Sequence, residues 1–270
     1  TIYIDMEVDM YLKHNGYVLH EQLSEYDNST EIFAVGTGFR TPSHNIKTGA
    51  NVIQVTIQLK NEKPSEAIKN RSESGICGEC PHRPQPDGTR TCYVNMRSHN
   101  AIWKKYSEGG YPKATSLESL GRDRVIRLGS YGDPAMINKE VWDRLLHKSK
   151  GHMGYTHQWE NLSDYDNLSD YCMASVETLD QKQRANDMGY RTFRVTDDLN
   201  TLQPDEIVCP ASKTMGRKTT CYDCRLCAGA FRDRSAKIPN IVEQVHGSGA
   251  KHFTSLTVKE TANERATATC

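Results

Sequence analysis

Seven of the nine cysteines in this 270-residue chain fall in two runs whose spacing suits metal. The later run is Cys209, Cys221, Cys224 and Cys227, a C-x11-C-x2-C-x2-C pattern ending in TTCYDCRLC. Four soft thiolates so placed can wrap one tetrahedral zinc or complete the ligand set of an iron–sulfur cube. The earlier run, SGICGECPHRPQPDGTRTC, holds three: Cys77, Cys80 and Cys92. Three thiolates on a four-iron cluster leave one iron open to a small molecule, whereas a structural zinc needs a fourth ligand, most simply His82. An odd cysteine total, tight clustering and an opening that alternates apolar and acidic residues favour reduced, metal-ligating thiolates over a disulfide framework. The expected compartment is therefore the cytoplasm.

Secondary structure must then carry these loops to one place. NVIQVTIQL (51–59) alternates Ile53, Val55, Ile57 and Leu59 with polar residues, the period of a half-buried strand, and leads toward the first cysteine run. From residue 124 the pattern becomes short apolar strand, turn, helix. RVIRLGSYGDP is followed by NKEVWDRLLHKSK, with Val141, Trp142, Leu145 and Leu146 on one helical face behind an Asn138 cap. GHMGYTHQW and YCMASVET read as strands, LDQKQRANDMG as a helix closed by Gly189, and YRTFRV and DEIVCPA as strands. Such alternation predicts an α/β fold, a full or partial (β/α) barrel of the TIM-barrel kind, with Cys-rich metal-binding loops.

The expected division is an acidic appendage or edge element over 1–32, a barrel-like domain over 33–258 with metal loops at 77–92 and 209–227, and a tail over 259–270. The first 32 residues carry seven acidic side chains against one lysine. NLSDYDNLSDY (161–171) nearly duplicates six residues and reads as a solvated loop insertion.

In such folds the reactive groups follow the C-terminal ends of strands, while the strand bodies pack. Here those ends deliver Asp133, then Thr156, His157 and Gln158, then Ser175 and Glu177, then Asp197 and Asp198, then Cys209 and Ser212. Asp133, His157, Glu177 and Asp197 are the candidate catalytic residues. Asp133 lies between Gly132 and Pro134, a placement expected to turn its carboxylate toward the barrel mouth. The plain alternative is that it caps the helix carrying Trp142, as Thr178 and Asp198 would cap the segments after them.

Lys plus Arg (34) balance Asp plus Glu (34), so no global field draws the chain to nucleic acid or an acidic membrane, and no apolar run is long enough for a membrane span. Locally, residues 209–237 hold seven Lys/Arg against two Asp, a charge that offsets thiolates or meets phosphate. Nucleic-acid contact within 213–237, through Arg217, Lys218, Arg225, Arg232 and Arg234, is the non-catalytic zinc-protein reading.

Assembled, these motifs resemble a group of phage- and plasmid-borne proteins of unassigned function that share S-x-N-x-K-T-G (Ser43, Asn45, Lys47 to Gly49), CxxC…CY (Cys77 to Tyr93), R-L-G-x-Y-G-D-P (Arg127 to Pro134), G-Y-T-H-Q-W (Gly154 to Trp159) and CPAS…TTCxxCxLC (Cys209 to Cys227). The likeness runs from about residue 35 to 250 and implies a host cytoplasm. More distantly, the chain resembles radical S-adenosylmethionine (SAM) enzymes with an auxiliary cluster. In those, three cluster-binding cysteines, the last followed by an aromatic, lie after the first barrel strand, and a Gly-Gly-Glu-Pro-like turn binds the SAM amino group. Cys92-Tyr93 and Gly132-Asp133-Pro134 occupy comparable places, although the family's CxxxCxxC is here C-x2-C-x11-C. The resemblance implies an iron–sulfur cluster and SAM as cofactors, Gly132, Asp133, Ser43, Asn45 and Lys47 as cofactor-binding candidates, and a small-molecule or nucleotide substrate. A rival likeness is to zinc-containing transglycosylases that exchange a base in RNA or DNA. There Cys221, Cys224, Cys227 and His252 or His246 would hold zinc, and Asp133 or Asp197 would supply the carboxylates.

Overall fold

A computed structural model of the chain describes residues 13–42, 45–162, 168–230, 238–247 and 249–253. The fold is mixed α/β, built on two five-stranded sheets. In the first, β1 (Gly16–Leu23), β2 (Glu31–Thr37) and β3 (Val52–Leu59) run antiparallel, and β4 (Val125–Tyr131) and β5 (Gly151–Met153) continue parallel to β3. In the second, β6 (Tyr155–Thr156), β7 (Met173–Val176), β8 (Thr192–Thr196), β9 (Glu206–Val208) and β10 (Asn240–Gln244) are all parallel, in the order β6-β7-β8-β10-β9. Within the stretch expected as an acidic appendage, β1 forms the outer strand of the first sheet; residues 1–12 and the 259–270 tail lie outside the described residues.

Only Gly154 separates β5 from β6. Its N–H donates to the Cys227 carbonyl at 3.1 Å and its own carbonyl accepts from Met173 N at 3.0 Å, so the backbone passes from one ladder to the next without a loop. A Cβ here would sit 2.7 Å from the Tyr171 carbonyl and 2.9 Å from Cys172 Sγ, which restricts the position to glycine.

The helices form where the sequence cues them. Asn138 accepts from Glu140 N and starts Lys139–Leu146, whose Val141, Trp142, Leu145 and Leu146 are buried. Thr178 and Gln181 make a reciprocal capping box for Leu179–Asp187, which ends just before the left-handed Gly189. A helix that the apolar periodicity did not point to, Met96–Ser107, covers the first sheet, with Tyr106 stacked on Phe33 at 3.6 Å between centroids.

β3 corrects the expectation of a half-buried strand. It lies between β2 and β4 and is covered on both faces, so even Thr56 and Gln58 are fully buried. They are not wasted there: Gln58 Nε2 donates to Thr56 Oγ1, which bonds His99 Nδ1, both at 3.2 Å. The duplicated segment falls partly outside the described residues, and its last part is the buried-faced turn of helix Leu168–Tyr171.

Candidate functional site

The loop after β3 gathers the first three thiols by ordinary turn chemistry. Glu73 precedes a single helical turn, Ser74–Cys77, and Cys80 N donates back to the Cys77 carbonyl at 3.1 Å. The chain then doubles back: Gln85 N donates to the Thr89 carbonyl at 2.8 Å, Asp87 Oδ1 accepts from Thr89 N, and Cys92 N reaches the His82 carbonyl at 3.1 Å. Cys92 is thereby returned to Cys77 and Cys80. Burial, then the charges of Cys80 and Cys92, push the Cys77 thiol well above its ordinary pKa, and burial likewise raises Cys92.

These thiols open onto a cavity of about 430 Å3 whose wall includes Cys77, Cys80, Cys92, Asp133, His157 and, across the space, Cys221. Period-two geometry supplies the rest of the wall: Arg127, Gly129 and Tyr131 from β4, Met153 and Tyr155 from β5 and β6, Phe193 and Val195 from β8, and Glu243 from β10. Side chains from strands of both sheets thus line one space.

Beside Cys80, Glu177 Oε1 lies 3.0 Å from both His82 Nε2 and His157 Nε2. Burial would raise the Glu177 carboxyl, but the His157 charge and hydrogen bonds from both imidazoles hold it far below the usual carboxylate range. Burial opposes a charge on His157, yet the charges of Cys80 and Glu177, and hydrogen bonds to both, raise its pKa well above the ordinary value. His82 Nδ1 pairs with Thr91 Oγ1 at 2.7 Å, so both of its ring nitrogens are engaged away from the thiols, and the expected Cys3His zinc set is not assembled. Among the described residues, these two histidines and Glu177 are the one group of three or more His, Cys, Asp or Glu ligand atoms lying within 4.8 Å of one another.

Asp133 is on the cavity wall but is only 8% exposed. Its Oδ1 accepts from Ala135 N at 3.0 Å and its Oδ2 from His157 N at 2.9 Å. It therefore caps the turn Pro134–Met136 and ties the end of β4 to the end of β6, while Asn138 is the cap of the Trp142 helix. Burial raises its pKa against those two backbone hydrogen bonds. Gly132, at φ 80°, has room for nothing larger, since a Cβ would meet the Ile57 carbonyl at 2.7 Å.

The second cysteine set is built differently. Thr220 caps the turn Cys221–Cys224, and Arg225 in a left-handed conformation sends the chain back toward Cys227. Cys209, Cys221, Cys224 and Cys227 all border a void of only about 20 Å3. Burial pushes Cys209 and Cys227 up to about 12, partly offset by the Lys47 charge at Cys209 and by a hydrogen bond from Tyr155 at Cys227. Lys47, expected at a cofactor, also braces this loop, and Asn45 Oδ1 accepts from Lys47 N at 3.0 Å. Cys221 N donates to the Lys47 carbonyl at 2.9 Å, and Lys47 Nζ pairs with Glu243 at 2.7 Å. Both also reach the cavity wall; Ser43 lies outside the described residues.

Other expected residues are not brought in. Asp197 is exposed and does not line the cavity. Neither His246 nor His252 joins the second cysteine set in a close donor group, and Arg217 reaches only the cavity wall from an exposed position. Arg225 donates to the Lys150 carbonyl, while Arg232 and Arg234 lie outside the described residues. Conversely, Thr91 and Glu243 serve the site without having been singled out, and Arg127 and Tyr155 enter the sequence reading only as parts of longer motifs. For Tyr155 the signal is its place two residues before His157, in the strand that leads to it.

Among the described residues no helix is long and apolar enough to cross a membrane. Compared with known protein families, curated proteins and solved structures, the chain matches none.

Proposed function

We propose that the chain is an iron–sulfur enzyme resembling radical SAM proteins, its parallel strands forming one partial barrel around the cavity, and that it acts on a small-molecule or nucleotide substrate. The observation that carries this reading is the gathering of Cys77, Cys80 and Cys92, from the connection that follows β3, on the wall of a cavity large enough for an organic ligand. The donor set fits a cluster better than a single ion. A tetrahedral zinc draws its thiolates to about 3.8 Å from one another, and among the described residues no cysteine-containing trio of ligand atoms lies within 4.8 Å. A four-iron cube engages each thiolate through a different iron and holds them wider apart.

Such a cluster would supply one electron for the reductive cleavage of SAM. The chain's own residues position and insulate. Asp133 fixes the His157 backbone against the β4 end and would be the carboxylate on the cavity wall for the SAM ammonium group. His157 donates to Cys80 and so ties that thiol to the buried Glu177. The base-exchange alternative has less support, because Asp197 stands outside the cavity and, among the described residues, no histidine joins the later cysteine set.

Oxygen-free purification followed by visible absorption and SAM-consumption assays under dithionite tests the proposal. Iron with acid-labile sulfide and dithionite-dependent SAM consumption are expected; zinc without sulfide would overturn it.

A further inference from the structure

We propose that His82, His157 and Glu177 form a mononuclear site for a divalent transition ion such as Fe(II) or Mn(II), distinct from both thiol sets. Three features carry this. The three ligand atoms lie within 4.8 Å of one another, close enough for one ion to bridge after a small adjustment. Each Nε2 stands 3.0 Å from Glu177 Oε1, the spacing of neighbouring ligands about 2.1 Å from an ion and at right angles.

Second, the ligands have the support that metal-bound imidazoles need. His82 Nδ1 lies 2.7 Å from Thr91 Oγ1, a partner that fixes the ring and leaves Nε2 for the ion. The His157 ring is likewise held, by Cys80.

Third, the site has a closed back and an open front. The Glu177 side chain is 2% exposed, whereas His82 and His157, at 14% and 17%, both reach the cavity wall. Two histidines and one carboxylate with open positions toward a cavity suit a ferrous or manganous ion better than a closed structural zinc. The site draws no ligand from the cysteines and does not depend on the cluster reading.

Mn(II) is the discriminating probe, because it favours oxygen and nitrogen donors and leaves thiolate sets to softer metals. Titration of the full chain, with free Mn(II) followed by electron paramagnetic resonance, should show one ion bound per chain. Glu177→Gln keeps the size and one hydrogen-bond acceptor but removes the charge, and should weaken binding tenfold or more; His82→Gln should do the same. Thr91→Val, which touches no ligand atom, should weaken it about tenfold, while Cys92→Ser leaves it unchanged whether or not iron and sulfide are present. No Mn(II) uptake by the wild-type chain would overturn the proposal and leave the trio a hydrogen-bond network. Uptake that survives both Glu177→Gln and His82→Gln, or that disappears in Cys92→Ser alone, would overturn it equally.

Discussion

The two cysteine regions gather the same side chains in different architectural settings. Cys209, Cys221, Cys224 and Cys227 border a void of about 20 Å3, whereas Cys77, Cys80 and Cys92 edge a space of about 430 Å3 that Cys221 also reaches. Around the closed set, Lys47 and Tyr155 answer the thiols directly, and backbone bonds from Cys221 and Tyr222 clamp it to residues 47 and 48. The open set is flanked by His82, His157, Glu177 and Asp133, groups that could hold or move a proton. Four thiols around a space of about 20 Å3 leave no room for an organic reactant once a metal is bound; three thiols beside a large cavity would leave a coordination position open to one.

The sharpest way to break this contrast is Cys224→Ser. Ligation free energy at a closed set is also folding free energy, so the variant should lose about 3 kcal/mol or more, on the order of 10 °C in Tm, together with its metal. An unchanged melting curve with full metal content would make the closed set dispensable.

Acid should act on the wall behind the open set. Burial, then the Arg127 charge, lower the pKa of His99 from 6.5 to about 4, and its ring packs 5.0 Å from that of Tyr131. Above pH 6.5 the imidazole is neutral folded or unfolded; as pH falls from 6.5 toward about 4 only the unfolded chain takes the proton, and stability drops. The full loss is about 3 kcal/mol. Denaturant melts across this range should show the slope in the wild type and a shallower one in His99→Gln; equal slopes would place the acid sensitivity elsewhere.

Asp133→Asn separates positioning from simple charge. An amide can still accept from Ala135 N but turns its NH2 toward the His157 N–H, a donor facing a donor, at a cost of about 1–3 kcal/mol. Thermal melts and SAM binding should both suffer; intact stability with lost binding would return Asp133 to a purely ligand-facing role. The smallest effect is expected from Arg217→Ala with Lys218→Ala, both exposed, which should shift stability by less than about 0.5 kcal/mol and leave metal content unchanged. Metal loss in that pair would show that the closed set relies on exposed charge.

Much of the molecule is legible in its sequence because it obeys local rules. The strand-and-helix rhythm from residue 124 and the Asn138 and Thr178 caps are written in spacing and period. The parts that are not legible depend on tertiary neighbours. Thr56 and Gln58 look like a solvent face until β2, β4 and the helix Met96–Ser107 cover them. The Gly-Asp-Pro turn suggests an outward carboxylate, but His157 N and Ala135 N take both oxygens. β10 escapes notice because NIVEQ is short and acquires its meaning only by inserting between β8 and β9. His82 reads as a cysteine-loop ligand in one dimension and becomes a partner of Glu177, 95 residues away, in three.

The most direct test of the contrast is metal and sulfide analysis, with thermal melts, on oxygen-free chain in which Cys77, Cys80 and Cys92 are replaced together by serine. The predicted result is loss of about four iron and four sulfide per chain and of SAM consumption, with the closed set still loaded and the melting curve nearly that of the wild type. Unchanged iron and sulfide, or a chain that no longer folds, would contradict the assignment of the reactive cluster to the open set.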